Sequence, residues 1–314
     1  MIFKIDTPDL TQERAGNTGT PGVWHFDSGK PGPSVLISAL IHGNELCGAW
    51  ALKDLLASGL KPENGKLTLA FCNLAAFDRF DPLAHDTSRF ADEDLNRVWT
   101  EQKLAEPSTL ERQRAAELLP WVKQADRLLD LHSMHEPSPP LLVTGILQRN
   151  IDVGLRLGVP RHLVVDAGHK DGTRMRDYAQ FGDPEGQALA LLVECGFHGD
   201  PSSVRIAKQT TARFLLESGV VSAGQLPAEW QERDGQDIAQ QVLQVTEPVV
   251  AKSKNLTFSS PWQGMECIEH AGTTIGHDDG VPIVTPYDNC VLVMPSLRQL
   301  VPGVTVVRFA RQVH

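Results

Sequence analysis

The sequence predicts an α/β protein, with a mostly parallel or mixed sheet flanked by helices and a small all-β domain at the C-terminal end. Apolar strand-like runs alternate with helix-like periodicity up to about residue 218, the pattern of a sheet built by crossover connections. From residue 238 onward the pattern changes to short β segments broken by Gly, Pro, Asp and Asn. A chain of 314 residues can also bury one large core and one small one. We place the two domains at 1–225 and 226–314.

Residues 1–33 are polar and rich in Gly and Pro, with a short strand at Val23-Trp24-His25-Phe26. The apolar run 35–41 is the first core strand. A helix follows from Glu45, carried by Leu46, Ala49 and Trp50 at helical spacing, and Gly59 stops it near Ser58. Asn64-Gly65 is a turn before the strand 67–72. Residues 73–107 lack periodicity and are dense in Asp, Arg and His, so they form a long loop of the kind that carries function. Ser108-Thr109-Leu110-Glu111 has the capping-box pattern and starts a helix to about Trp121, kinked or shortened by Pro120. Strands at 127–132 and 141–146, a short helix near 150–157 and a strand at 162–165 come next. A second polar loop spans 166–187. The run 188–196 is a buried strand interrupted by Glu194. The last long helix takes Asp200 as N-cap and Pro201 at its first position, and it ends near Gly219.

Composition narrows the function. Hydrophobic residues make up 41% and charged residues 22%, ordinary values for a globular protein. The net charge of −10 argues against a nucleic-acid surface. Five cysteines without a C-x-x-C read as reduced thiols, the N-terminus lacks a signal-peptide stretch, and no run reaches membrane-spanning length. Cytoplasm is the expected compartment.

The chemistry centres on Ile41-His42-Gly43-Asn44-Glu45, where a strand runs into a helix. An imidazole and a carboxylate three residues apart on such a turn can converge on one cation, and open α/β sheets place ligands at strand ends. A lone H-x-x-E is weak evidence. His132 ends the strand 127–132 and is preferred as a further ligand over His135, which falls in a Pro-rich stretch. Asp130 is equally a partner for an imidazole N–H or an ordinary strand-end residue. Glu194 is the strongest oddity: apolar residues precede it, and a buried carboxylate needs a reason. It reads as a general base beside a metal site, against a bland alternative of a buried salt bridge. Arg89, Asn96 and Arg97 form a cluster suited to clamping a carboxylate and polarising a carbonyl. His25, His85, His162, His169, His198, His270, His277 and His314 receive no role.

His42-Gly43-Asn44-Glu45, Asp94-Leu95-Asn96-Arg97, Asp130-Leu131-His132 and Val193-Glu194 with Gly196 resemble, in order, the motifs of the succinylglutamate desuccinylase/aspartoacylase family, a relative of the zinc carboxypeptidases. The resemblance spans residues 42–196. It implies a carboxypeptidase-like domain and one Zn²⁺ per chain, held by His42, Glu45 and His132. It implies Glu194 as the base that activates a water and Arg89 as the residue that helps polarise the scissile carbonyl. Asn96 and Arg97 would bind a substrate carboxylate, and Tyr287 would reach the site from the C-terminal domain. The family's arginine ten residues before the base is replaced by Pro184, with Arg174, Arg176 or Tyr178 as stand-ins; of these we assign Arg176 to substrate binding. The implied activity is zinc-dependent removal of an acyl group from an N-acyl amino acid. A zinc carboxypeptidase is the alternative. A non-catalytic metal scaffold, the third reading, would leave Glu194 and Arg89 without a purpose. The implied partner is a small molecule, with neither nucleic acid nor membrane, and self-association stays open.

Overall fold

The computed structural model describes residues 3–168, 172–232 and 239–313. The strands are β1 (Val23–Asp27), β2 (Ser34–Ala39), β3 (Lys66–Phe71), β4 (Arg127–Met134), β5 (Leu141–Val143), β6 (His162–Val165) and β7 (Leu189–Phe197). Beyond them lie β8 (Gln241–Val250), β9 (Thr257–Phe258), β10 (Glu266–Ile268), β11 (Thr274–Asp278), β12 (Val281–Val284), β13 (Cys290–Val293) and β14 (Thr305–Gln312). Eleven of them join in one mixed sheet in the order β1-β3-β2-β4-β7-β5-β6-β8-β14-β13-β10. β9, β11 and β12 form a separate three-stranded sheet.

The central strands β3, β2, β4 and β7 run parallel. Their residues are buried on both faces, as expected where helices cover a parallel sheet. The helices Leu46–Ala57 and Pro201–Ser218 pack against each other and, with β2, β4 and β7, share one apolar core. The expected β region is present after residue 238, but its β8 pairs in parallel with β6, so the main ladder runs on into it. No helix among the described residues is long and apolar enough to cross a membrane.

Two local differences from expectation bear on the cleft. The stretch 73–107 is not a bare loop but carries one-turn helices at Leu74–Phe77, His85–Ser88, Leu95–Arg97 and Glu101–Ala105. The following helix is Leu110–Lys123, and its N-cap is Thr109, whose hydroxyl accepts from the Arg112 N–H. Glu111 turns away from a capping role. Its buried carboxylate accepts from the backbone N–H groups of Ala91, Asp92 and Glu93 and from the Asn73 side chain. One side chain thereby fixes the path of the stretch that leads into Asp94, Asn96 and Arg97.

Candidate active site

The register of the parallel strands brings distant residues together. Ala39 at the end of β2 lies opposite Leu131 of β4, and His132 lies opposite Glu194 of β7. After β2 the chain turns through Leu40, held at φ 57, a left-handed conformation uncommon for leucine, and delivers His42 and Glu45 to the same end of the sheet. Gly48 lets the helix Leu46–Ala57 settle close on the sheet: a Cβ there would lie 2.8 Å from the Leu131 Cβ and 2.9 Å from the Ala39 Cβ. Gly43 is equally constrained, since a Cβ would fall within 2.5 Å of the backbone at Ala76, Phe77 and Ser88. Its N–H donates to the Arg89 carbonyl, tying the His42 turn to the arginine's segment.

His42, Glu45 and His132 are all buried, and one ligand atom from each lies within 4.8 Å of the others. The His42 Nδ1 is 2.8 Å from Glu45 Oε1, and the His132 Nδ1 is 2.8 Å from Glu45 Oε2. Each ring's other nitrogen meets a carboxylate: His42 Nε2 is 3.0 Å from Asp94 Oδ1, and His132 Nε2 is 2.8 Å from Asp130 Oδ2. Asp130 in turn accepts from the Ser38 hydroxyl. Carboxylates on the outer nitrogens are the arrangement that fixes the orientation of metal-bound imidazoles.

Electrostatics agree with a cation site. Burial alone would raise the Glu45 carboxyl, but the two imidazoles hold it well below the usual carboxylate range. Burial opposes the charged form of His132, yet Asp130 and Glu45 raise it well above the ordinary histidine value. Glu45 Oε2, although close to His132 Nδ1, lacks hydrogen-bond geometry with it. Two ring nitrogens and a carboxylate that crowd together without a complete hydrogen-bond set form a donor set able to take a divalent metal and leave a position open.

Glu194 stands beside this cluster. Burial pushes its carboxyl up to about 8, and its Oε2 is buried without a partner. Arg89 reaches Asp94 Oδ2 at 3.2 Å and Glu45 Oε1 at 3.5 Å, and its buried Nε–H has no partner. His42, Glu45, Arg89, Asn96, Arg97, His132 and Glu194 all line one cleft. Within it, Asn96 directs its Oδ1 to the Met175 N–H, so it anchors the loop that faces it.

Two expected contacts are corrected. Arg176 does not face the cleft: only 1% exposed, it donates to the Thr144 and Ala190 carbonyls and to Asp177. The arginine that the same loop presents to the cleft is Arg174, which contacts Asp177 and Asp166 and leaves its buried Nη2 unpartnered. Tyr287 is not among the lining residues either. Its hydroxyl pairs with Thr246 at 2.7 Å and Arg311 lies over its ring. From the C-terminal region, Met294, Ser296, Gln299, Thr305 and Arg308 wall the cleft instead. Arg308 is 5% exposed and paired with Asp166 at 3.2 Å. The signal for it was present in Val306-Val307-Arg308-Phe309-Ala310, a charge inside an apolar strand of the same kind as Glu194. Of the histidines without a role, His198 stands edge-on to the cleft residue His135 and His85 edge-on to His198, whereas His169 and His314 fall outside the described residues.

Comparison with known proteins agrees with this geometry. Residues 31–185 match the family model described as the succinylglutamate desuccinylase/aspartoacylase catalytic domain. No curated protein sequence matches the chain. Similar solved structures include a succinylglutamate desuccinylase/aspartoacylase from Rhodobacter sphaeroides, with 21% identity and a TM-score of 0.64 over 91% of this chain and 87% of that one. A succinylglutamate desuccinylase from Vibrio parahaemolyticus aligns at 18% identity and a TM-score of 0.66, covering 94% and 87%. The product-bound ectoine utilization protein EutE (DoeB) from Ruegeria pomeroyi aligns at 17% identity and a TM-score of 0.62, covering 90% and 86%. These likenesses concern the fold, and the catalytic-domain match carries the family. Over residues 31–185 the chain belongs with the catalytic domains of the succinylglutamate desuccinylase/aspartoacylase family.

Proposed function

We propose that the chain is a zinc-dependent amidohydrolase that removes an acyl group from an N-acyl amino acid. Residues 1–225 act as the catalytic part, and 226–314 as a β part that walls the cleft. The observation that carries this reading is the half-buried Glu194, whose Oε2 is buried without a partner, set beside the His42, Glu45 and His132 cluster and lining the same cleft as Arg89. Similar structures named succinylglutamate desuccinylase and aspartoacylase support N-acyl amino acids as the substrate class.

His42, Glu45 and His132 would hold the zinc. When bound, it supplies Lewis acidity that brings a water's pKa toward ~7 and polarises an amide carbonyl. Glu194 accepts the proton of the attacking water at its carboxylate and passes it to the leaving nitrogen. Arg89, which lines the cleft, offers a guanidinium N–H to the carbonyl oxygen as negative charge develops there. Arg97 also lines the cleft, and Arg174 adds a second guanidinium to its lining. Together they favour a substrate that carries carboxylate. The wall from Met294 to Arg308 favours a small substrate over a peptide chain, which weakens the carboxypeptidase alternative.

The test is hydrolysis by zinc-loaded protein of a panel of N-acetyl and N-succinyl amino acids alongside blocked dipeptides. Turnover of acyl amino acids is expected. Cleavage of the dipeptides alone would favour the carboxypeptidase. Stoichiometric zinc with no turnover would favour a scaffold.

A further inference from the structure

We propose that His135 is a positioning residue for Arg89: an Asp86–His135 pair, anchored by Arg298 of the C-terminal region, aims the guanidinium at the cleft. The proposal rests on the reading of Arg89 given above and extends it to residues that reading leaves without a role.

The chemistry of the contacts fixes the direction of each hydrogen bond. Arg89 Nη1 lies 3.2 Å from His135 Nε2. A guanidinium has donors only, so Nε2 must be the acceptor and carries no proton. The ring proton then sits on Nδ1, which lies 3.1 Å from Asp86 Oδ1 and donates to it. The second oxygen of Asp86 accepts from Arg298 Nη1 at 3.0 Å, and the Nε of the same guanidinium donates to Glu136 Oε1 at 2.7 Å. A continuous chain of charge-assisted bonds thus runs from Arg298 through Asp86 and His135 to Arg89.

The surroundings keep the ring in this state. Burial lowers His135 below the ordinary histidine value, with Asp86 opposing and Arg89 adding to the effect. The His198 ring stands edge-on to it at 4.8 Å, and Ser133 Oγ lies 2.7 Å from His198 Nδ1, so the neighbour is itself held. Arg89 has long rotatable bonds, and its other two anchors, Glu45 and Asp94, belong to the metal cluster or its partners. His135 is the anchor that links it to the wall formed by Met294, Ser296 and Gln299, which flank Arg298 in sequence.

The test uses the zinc-loaded full chain labelled with ¹⁵N-histidine. The expected signature is a neutral His135 with its proton on Nδ1, a preference that weakens in Arg89→Met. A proton resting on Nε2 would overturn the proposal whatever the activity. Kinetics give the second arm. His135→Asn keeps a donor toward Asp86 but offers Arg89 nothing, whereas His135→Gln places an oxygen near the former Nε2. The Asn variant is expected to lose about ten- to a hundredfold in kcat, the scale of a misplaced catalytic group, with KM and zinc content unchanged. The Gln variant should regain most of that loss. Equal behaviour of the two variants would overturn the proposal. Wild-type protein inactive on the whole panel would sink the deacylase reading, while the ring-proton position would still decide the pairing.

Discussion

Replacing Glu194 with Gln keeps the side chain's shape and removes its proton chemistry, so it separates two effects. On turnover, losing a positioned general base lowers kcat by about 10²- to 10⁴-fold. The ligand cluster His42, Glu45 and His132 is untouched, so zinc should stay bound. On stability, the metal-free protein gives the more searching test. The folded carboxyl is pushed from its ordinary 4.5 up to about 8, chiefly by burial. Below pH 4.5 the group is protonated in both folded and unfolded chains and its burial is not penalised. Between those values the unfolded chain releases a proton that the folded chain keeps, so stability falls as pH rises. At about 1.4 kcal/mol per pH unit, the loss is on the order of 3 kcal/mol at pH 7 and levels off near 5 kcal/mol above pH 8. Glu194→Gln should remove that slope. Urea denaturation of chelator-treated wild type and variant, from pH 5 to pH 8, measures the difference. A difference that does not grow with pH, or a variant that retains near-normal turnover, would refute the reasoning.

Further outcomes follow from the same geometry. Asp130→Asn takes the carboxylate from His132 Nε2 and should weaken zinc binding about 10- to 100-fold, read by competition with a chelating dye. Arg176→Met leaves the carbonyls of Thr144 and Ala190 without that donor, while Asp177 keeps Arg174, and should cost about 2–4 kcal/mol in denaturant unfolding. Glu111→Gln replaces an acceptor of several N–H groups with an amide that accepts at one end only. It should destabilise the protein by about 3 kcal/mol and raise KM as Asn96 and Arg97 lose their support. Tyr287→Phe removes a hydroxyl that serves Thr246, so kcat/KM should stay at the wild-type level.

The sheet's working end was legible because its residues lie near the C-terminal ends of strands. His132 and Glu194 follow or interrupt apolar runs, and strand periodicity sets where those runs stop. Parallel pairing then places the ends side by side without further information. The long stretch 73–107 was readable as important but not in shape. Its course depends on Glu111, 18 to 20 residues further along from the N–H groups it holds, and that partnership leaves no periodic trace.

What the sequence determined by itself was the set of chemical groups and the order in which they reach one pole of an α/β sheet. Hydrophobic periodicity and strand termination are local properties, and they suffice for that. The tertiary structure alone decided which arginine of the second loop faces the cleft. Arg174 and Arg176 are two residues apart and alike in chemistry, yet Arg176 is drawn inward by the carbonyls of Thr144 and Ala190, which lie on other segments. The same holds for Arg308 and Tyr287, whose directions follow from the packing of β14 and its neighbours. A side chain's aim is set by the partners that folding supplies, and those partners are not its neighbours in the chain.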